Sequence, residues 1–355
     1  MPSFIKHEVS KALSCYSPEN GGFVYYCSNC KRYIFQNLGC NSRICSCCGK
    51  RYNDQWSHSL SKAMFPVSHR HFVMSVPQAL WSYLKDWEMR KYLMDAAITA
   101  FNKYLSKIMH RDIKVGVIVI LHPYGKDMKD QPHLHLLITE GGFDAKGSFV
   151  KCEFIPADGF RRKWQYEVMK KLQKHGLPNY VATQMYRKYP KGFYVWLHKR
   201  GRIKNPRLIG KYVGRYVRHP AIANSRIFFY DGKIVKFFYN DNEDKRVNVT
   251  MTVEQFITAL IQHIPPPQFK MVRYYGAYAR RAKRRYGGGL QSGIKQLNLH
   301  HFGLERIKYC PFCHCRLEFV WYSGKPPPEE LQEVKKQKEL TGWLSSNAVE
   351  ISHRR

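Results

Sequence analysis

Hydrophobic positions along the chain follow two periods. "RHFVMSVP" (70–77), "KVGVIVILHP" (114–123) and "HLHLLITE" (133–140) are short apolar runs bounded by turn formers, which predicts strands. "WEMRKYLMDAAITAFNKYLSKIM" (87–109) instead returns apolar residues every three or four positions and predicts a helix, as does the stretch from Gly159 to His175. A polar connection holding a proline and a glycine joins the second and third strands, so these are expected to pair antiparallel. Further on, Asn205 and Pro206 supply the N-cap and first turn of a helix running to about Arg218 and stopped by Pro220. "RIFFYDGKIVKFFY" reads as a hairpin turning at Asp231-Gly232, followed by a helix near 252–263 and the breaker "IPPPQ". The pattern predicts an α+β fold, a central antiparallel sheet flanked by helices, better than a βαβ array.

Both ends of the chain differ from this middle. The opening residues are rich in cysteine and finish in a helical stretch, "YNDQWSHSLSKA". After the hairpin comes a basic run, "ARRAKRRYGGG", and then a weakly patterned tail. Three segments are expected: a small N-terminal zinc-binding module over 1–62, the sheet-and-helix domain over 63–265, and a basic C-terminal segment over 266–355.

Charge narrows the partners. The 355 residues carry 59 Lys plus Arg against 26 Asp plus Glu, a formal net charge of +33. A field of that sign gathers polyanions, and for a soluble protein the usual one is nucleic acid. No apolar run approaches the roughly 18 residues of a spanning helix, and the N-terminus has no signal-peptide stretch, so the expectation is a cytoplasmic, nucleoid-associated protein and no membrane partner.

Seven of the eleven cysteines lie in the first 50 residues and three more between Cys310 and Cys315, a clustering that in a reducing compartment reads as metal sites rather than disulfides. Cys27, Cys30, Cys45 and Cys48 form C-x2-C-x14-C-x2-C, the spacing of one tetrahedral structural Zn²⁺. "YCPFCHC" offers a second knuckle with no clear other half.

Two histidines interrupt the third strand. Residues two apart share a strand face, so His133 and His135 project together while Leu134 and Leu136 point to the opposite side. They could bind one divalent ion, or be ordinary polar residues of a half-exposed strand. On the predicted helix 205–218, Tyr212 and Tyr216 stand one turn apart on one face with Arg215 between them. A phenol is a weak nucleophile near neutral pH and needs a base or a metal-polarised target. With 24 tyrosines such pairs also arise by chance, and Tyr274 with Tyr278 is a second one.

"PHLHLLITEGG", followed by "KYVGRYVRHPAIANSRIFFYDGKIVKFFY" and "TVEQFITALIQHIPPPQFKMVRYYGAYARR", resembles the two-tyrosine HUH transposases of bacterial insertion sequences, relatives of Helitron transposases and rolling-circle replication initiators. The likeness includes the cysteine-rich start and covers about residues 10 to 285. It implies an HUH nuclease domain in which His133 and His135 ligate a catalytic Mg²⁺ or Mn²⁺, and Tyr212 and Tyr216 attack DNA to give 5′-phosphotyrosine links. The resemblance extends to Cys15 and Cys40, so that Cys40 either replaces one of the four zinc ligands or completes a second site. The implied function is a transposase acting on single-stranded element ends and target DNA. Arg215, between the two tyrosines, is a candidate for pairing with the scissile phosphate, or an ordinary surface charge of the helix. A replication initiator or relaxase would share this chemistry, and a non-catalytic zinc-dependent regulator would leave the histidines and tyrosines idle.

For the third metal ligand His122, Asp127, Asp130 and Glu140 are all close in sequence; His122 is favoured because it ends the strand expected beside His133. Aromatic and basic residues alternate through Tyr186, Tyr194 and Trp196, the composition of a surface that stacks bases and neutralises phosphates, although part of that run must serve as strand core. Arg273, Arg280 and Arg281 extend the basic surface downstream.

Overall fold

The structure is a computed structural model that describes residues 1–17, 20–152, 157–197, 221–241, 243–279, 282 and 308–323. Tyr212, Arg215, Tyr216, Arg280 and Arg281 lie outside the described residues. The chain divides into two compact units, one formed by Met1–Gln55, Pro220–Ile222 and Gln296–Arg355, the other by Trp56–His219 and Ala223–Lys295.

In the larger unit, β3 (His69–Ser75), β4 (Gly116–Tyr124), β5 (Asp130–Thr139), β8 (Val195–Leu197) and β12 (Val272–Gly276) form a five-stranded sheet in the order β12-β4-β5-β3-β8. Every neighbouring pair is antiparallel, including the expected β4–β5 pair. Helices α3 (Trp87–Met109), α4 (Ala157–Lys174) and α5 (Asn179–Lys188) contribute to the same core as one face of this sheet. Strand parity decides which face: Val117, Val119, Leu121, Leu134, Leu136 and Ile138, with Phe72 and Met74, are buried in the cluster that also holds Leu93, Phe101, Phe160 and Trp164 of the helices. Phe101 and Phe160 sit with ring centroids 4.2 Å apart, and the Trp164 indole donates to the Ser75 carbonyl at 3.1 Å, tying α4 to the end of β3.

Helix α3 starts and stops where its ends are satisfied. The Asp86 carboxylate accepts from the Glu88 backbone N–H at 3.0 Å, and His110 closes the helix in the left-handed region at φ 49°. A smaller sheet in the same unit, order β11-β10-β9, contains β9 (Ile227–Tyr230), β10 (Ile234–Asn240) and β11 (Arg246–Thr252). The β9–β10 turn is fixed by Asp231, whose Oδ1 accepts from the Lys233 and Ile234 N–H groups at 2.8 and 2.7 Å, with Gly232 at φ 89°. Thr252 and Gln255 form a capping box at the start of α6 (Val253–Gln262), and Phe256 of that helix faces Phe237 of β10.

The smaller unit has α1 (Ser3–Leu13), the β1 (Gly22–Cys27) and β2 (Arg32–Asn37) hairpin, and β13 (Glu318–Ser323) as the third strand, order β13-β1-β2. Helix α2 (Ser46–Ala63) begins within it. Two short strands, β6 (Gly141–Phe143) and β7 (Phe149–Lys151), pair in the larger unit. Among the described residues no helix is long and apolar enough to cross a membrane.

Candidate active site

The face of the central sheet opposite the helices carries histidines. Register puts His122 of β4 directly across from His133 of β5, and His135 across from Ile120 on one side and Val73 of β3 on the other. Because His133 and His135 share a face and His122 is the cross-strand partner of His133, the three imidazoles converge. Their candidate ligand nitrogens all lie within 4.8 Å of one another. Burial pushes the His133 pKa down and drives that of His135 well down, with the neighbouring imidazoles adding to the effect on His135, so each is held in the neutral form that can donate a lone pair to a metal.

Hydrogen bonds orient two of the three rings. His133 Nδ1 stands 2.8 Å from the Gln131 carbonyl, which can only accept, so Nδ1 carries the proton and Nε2 is left with its lone pair. His135 Nδ1 meets His71 Nε2 at 3.0 Å, the rings parallel to within 3° with centroids 5.2 Å apart. When His135 Nδ1 donates to His71, His135 Nε2 is likewise freed; this is the outer-shell arrangement that fixes a metal-binding histidine's tautomer. His71 was missed at the sequence level although a signal was present: His69 and His71 of β3 are themselves a His-x-His pair. His69 has another task. Its Nδ1 donates to the Val67 carbonyl at 2.7 Å and its Nε2 accepts from the Tyr278 hydroxyl at 2.7 Å, while that hydroxyl accepts from the Phe65 N–H at 3.2 Å. Tyr278 is therefore a buried anchor. Tyr274 accepts a hydrogen bond from the Trp56 indole at 3.2 Å.

Of the four candidates for a third ligand, His122 is the one gathered with the pair. Glu140 is buried in an ion pair with Arg70, whose Nε donates at 2.9 Å. Asp130 binds the buried Arg90 at 2.7 Å, and Asp127 accepts from the Lys129 N–H at 3.1 Å.

The aromatic run splits by strand parity. Phe193 and Val195 are buried in the helix-side core. Trp196 lies opposite Val73 in the same cross-strand row as His135, its ring edge 6.1 Å from His71, and Tyr194 precedes it by two at the end of the same face. Both remain open, Tyr194 at 53% and Trp196 at 39% exposure. Tyr186 is exposed on α5, whose buried residues Val181, Ala182 and Met185 belong to the helix-side core. Arg273 stands opposite Val119, on the helix side of the sheet, paired with Asp95 of α3 at 3.5 Å. The structure thus brings Tyr194 and Trp196 to the histidine face and leaves Tyr186 and Arg273 on the other side.

The single zinc shell read from C-x2-C-x14-C-x2-C is corrected. Cys45 and Cys48, at the start of α2, gather with Cys40 and with Cys15, which follows α1; Cys27 and Cys30 gather with Cys310 and Cys313. In the first group Sγ atoms of Cys15 and Cys48, Cys40 and Cys48, and Cys45 and Cys15 are 3.7, 3.7 and 3.5 Å apart. The C-x2-C spacing identifies the half-sites Cys27/Cys30, Cys45/Cys48 and Cys310/Cys313 but carries no information about which cysteines face each, and strand β13 decides that for Cys27 and Cys30. Cys47 and Cys315 are exposed and join neither group.

Comparison with known proteins gives the following. A family described as "Putative transposase" matches residues 116–285, and one described as "Transposase zinc-binding domain" matches residues 1–76. The "Transposase for insertion sequence element IS801" of Pseudomonas savastanoi pv. phaseolicola is 28% identical over 295 residues, covering 78% of this chain and 71% of that protein. The "Putative transposase y4qJ" of Sinorhizobium fredii (strain NBRC 101917 / NGR234) is 24% identical over 283 residues, 74% of this chain and 71% of that one. No solved structure matches. The matched zinc-binding domain and the thiol clusters support structural zinc.

Proposed function

We propose that this chain, which matches a transposase family over residues 116–285 and a transposase zinc-binding domain over residues 1–76, is a transposase that nicks and rejoins single-stranded DNA at the ends of its own element by HUH-type chemistry. The observation that carries this reading is the convergence of His122, His133 and His135 on the sheet face opposite the helices, the face that also carries two exposed aromatic side chains. The donor set fits a divalent cation: three imidazoles, with the Nε2 lone pair of His133 left available by the bond of its Nδ1 to Gln131. An all-nitrogen set suits Mn²⁺ better than Mg²⁺, which prefers oxygen ligands. When bound, such an ion polarises a phosphodiester oxygen and neutralises its developing charge.

The chain's own residues supply the rest. Tyr194 and Trp196 stack bases of the incoming strand along the same face as the histidines. By the resemblance, Tyr212 or Tyr216 is the nucleophile: its oxygen bonds to phosphorus, the bond from phosphorus to the 3′ oxygen breaks, and the released 3′ oxygen takes up a proton. Arg215 pairs with the phosphate. The resulting 5′-phosphotyrosine keeps the bond energy, so a 3′-hydroxyl can reverse the step without ATP, and two tyrosines let one hold the donor end while the other opens the target.

A nicking assay on a single-stranded oligonucleotide bearing the element end tests this reading. Cleavage is expected with Mn²⁺, less with Mg²⁺, and is expected to fall by about 100-fold or more in His122→Ala, His133→Ala and His135→Ala, each of which removes a ligand worth several kcal/mol of charge stabilisation. Wild-type rates in those variants would refute it.

A further inference from the structure

We propose that Cys27, Cys30, Cys310 and Cys313 hold a second structural Zn²⁺, which joins the N-terminal hairpin to a knuckle some 280 residues away. The zinc-binding domain matched by sequence ends at residue 76, so half of this site lies far outside it. Tetrahedral Zn²⁺ with bonds of about 2.3 Å to thiolate sets neighbouring sulfurs about 3.8 Å apart. Cys27 and Cys313 stand 3.5 Å apart and Cys30 and Cys310 3.9 Å, across separations of 286 and 280 residues. These gaps are far from the roughly 2.05 Å of a disulfide.

Both halves are shaped as ligand turns. At the β1–β2 turn the Cys30 N–H donates to Cys27 Sγ at 3.4 Å, and Lys31 turns the chain in the left-handed region. At the other half, His314 N–H donates to the Cys310 carbonyl at 2.9 Å and Cys310 N–H to the Cys315 carbonyl at 2.8 Å, folding Cys310 and Cys313 to one side while Cys315 stays exposed. β13 pairs antiparallel with β1, Glu318 opposite Tyr26, which carries the second knuckle to the end of β1 where Cys27 sits.

Among the described residues, the buried members of the cluster at this site are Tyr25, Cys27, Ile34, Cys310 and Leu317. Two of these five are proposed ligands themselves, and small units rely on metals or disulfides to supplement apolar burial. Metal binding here doubles as folding free energy for the unit.

The test uses the full chain. Metal analysis of the purified protein is expected to find two Zn²⁺ per chain, and Co²⁺ exchange to give two equivalents with the absorption of tetrahedral tetrathiolate cobalt. Cys310→Ser with Cys313→Ser is expected to lose one of the two equivalents, whereas Cys315→Ser and Cys47→Ser keep both. If the double variant is insoluble, wild-type stoichiometry decides: two tetrathiolate equivalents support the site, and one overturns it. Retention of both by a soluble double variant overturns it as well.

Discussion

His71 shows how much a single ring contributes at the residue scale. Its Nε2 stands 3.0 Å from His135 Nδ1, and when His135 donates in that contact, His135 Nε2 keeps the lone pair that a metal would take. A positioning role is inferred for it: His71→Gln, which keeps a polar group of similar size, is expected to weaken Mn²⁺ affinity by about 10- to 100-fold, measured by calorimetric titration. An unchanged affinity would remove it from the site. His69, two positions earlier, gives a stability signature instead. Burial pushes its pKa down to about 4 from the usual 6.5, and both its nitrogens are satisfied in the neutral form by Val67 and Tyr278. Protonation would leave Tyr278 accepting from two donors. The stabilising contribution is complete above pH 6.5 and is lost as pH falls towards 4, because the unfolded state takes up the proton first; the total is about 3 kcal/mol. Urea midpoints at pH 7.5 and 4.5 are expected to differ less in His69→Gln than in the wild type. An equal acid loss in both would assign the effect to other groups. The His133–His135 pair was legible in sequence because an imidazole two positions from another in an apolar strand is conspicuous. The His69–His71 pair was hidden because its strand reads as hydrocarbon from Phe72 onward.

At the scale of elements, the side of the sheet on which a residue stands decides whether it can meet DNA. Tyr194 and Trp196 share the histidine face, whereas Arg273 is committed to Asp95 beneath the sheet. Tyr194→Ala and Trp196→Ala are each expected to weaken binding of a single-stranded oligonucleotide by about 1–3 kcal/mol with little change in melting temperature. Arg273→Ala is expected to act the other way, lowering stability and sparing affinity; fluorescence anisotropy and thermal melts separate the two. Equal effects of all three on binding would reject the assignment by face. The elements that read clearly were those with sustained periodicity: α3 falls on 87–109 as expected, and β4 and β5 differ from expectation by a few residues at their ends. The helix α5 and strand β11 were not foreseen. In "NYVATQMYRK" aromatic and basic residues obscure a face only three buried residues wide, and β11 alternates half-buried with exposed side chains, a weak hydrophobic signal. Strand β8 has three residues and owes its place to β3.

On the scale of the whole molecule, what could not be read from sequence is non-local pairing. Three cysteine knuckles announce themselves by spacing, Cys27/Cys30, Cys45/Cys48 and Cys310/Cys313, whereas Cys15 and Cys40 do not. The knuckles could be combined in several ways, and the pairing of β1 with a strand near the far end of the chain assigns Cys27 and Cys30 to Cys310 and Cys313. β12 joins the central sheet in the same long-range manner. The net charge of +33 was legible at once and fits a partner whose backbone is a polyanion. In the proposed reaction a tyrosine oxygen becomes covalently joined to DNA in a metal-dependent step. A suicide oligonucleotide, carrying the element end with a 3′-bridging phosphorothiolate at the cleaved bond, traps that state. Mass spectrometry of the trapped protein is expected to find the 5′-phosphate on Tyr212 or Tyr216 in a metal-dependent reaction. Metal-dependent cleavage that persists in the Tyr212→Phe, Tyr216→Phe double variant, with no adduct on the chain, would contradict it.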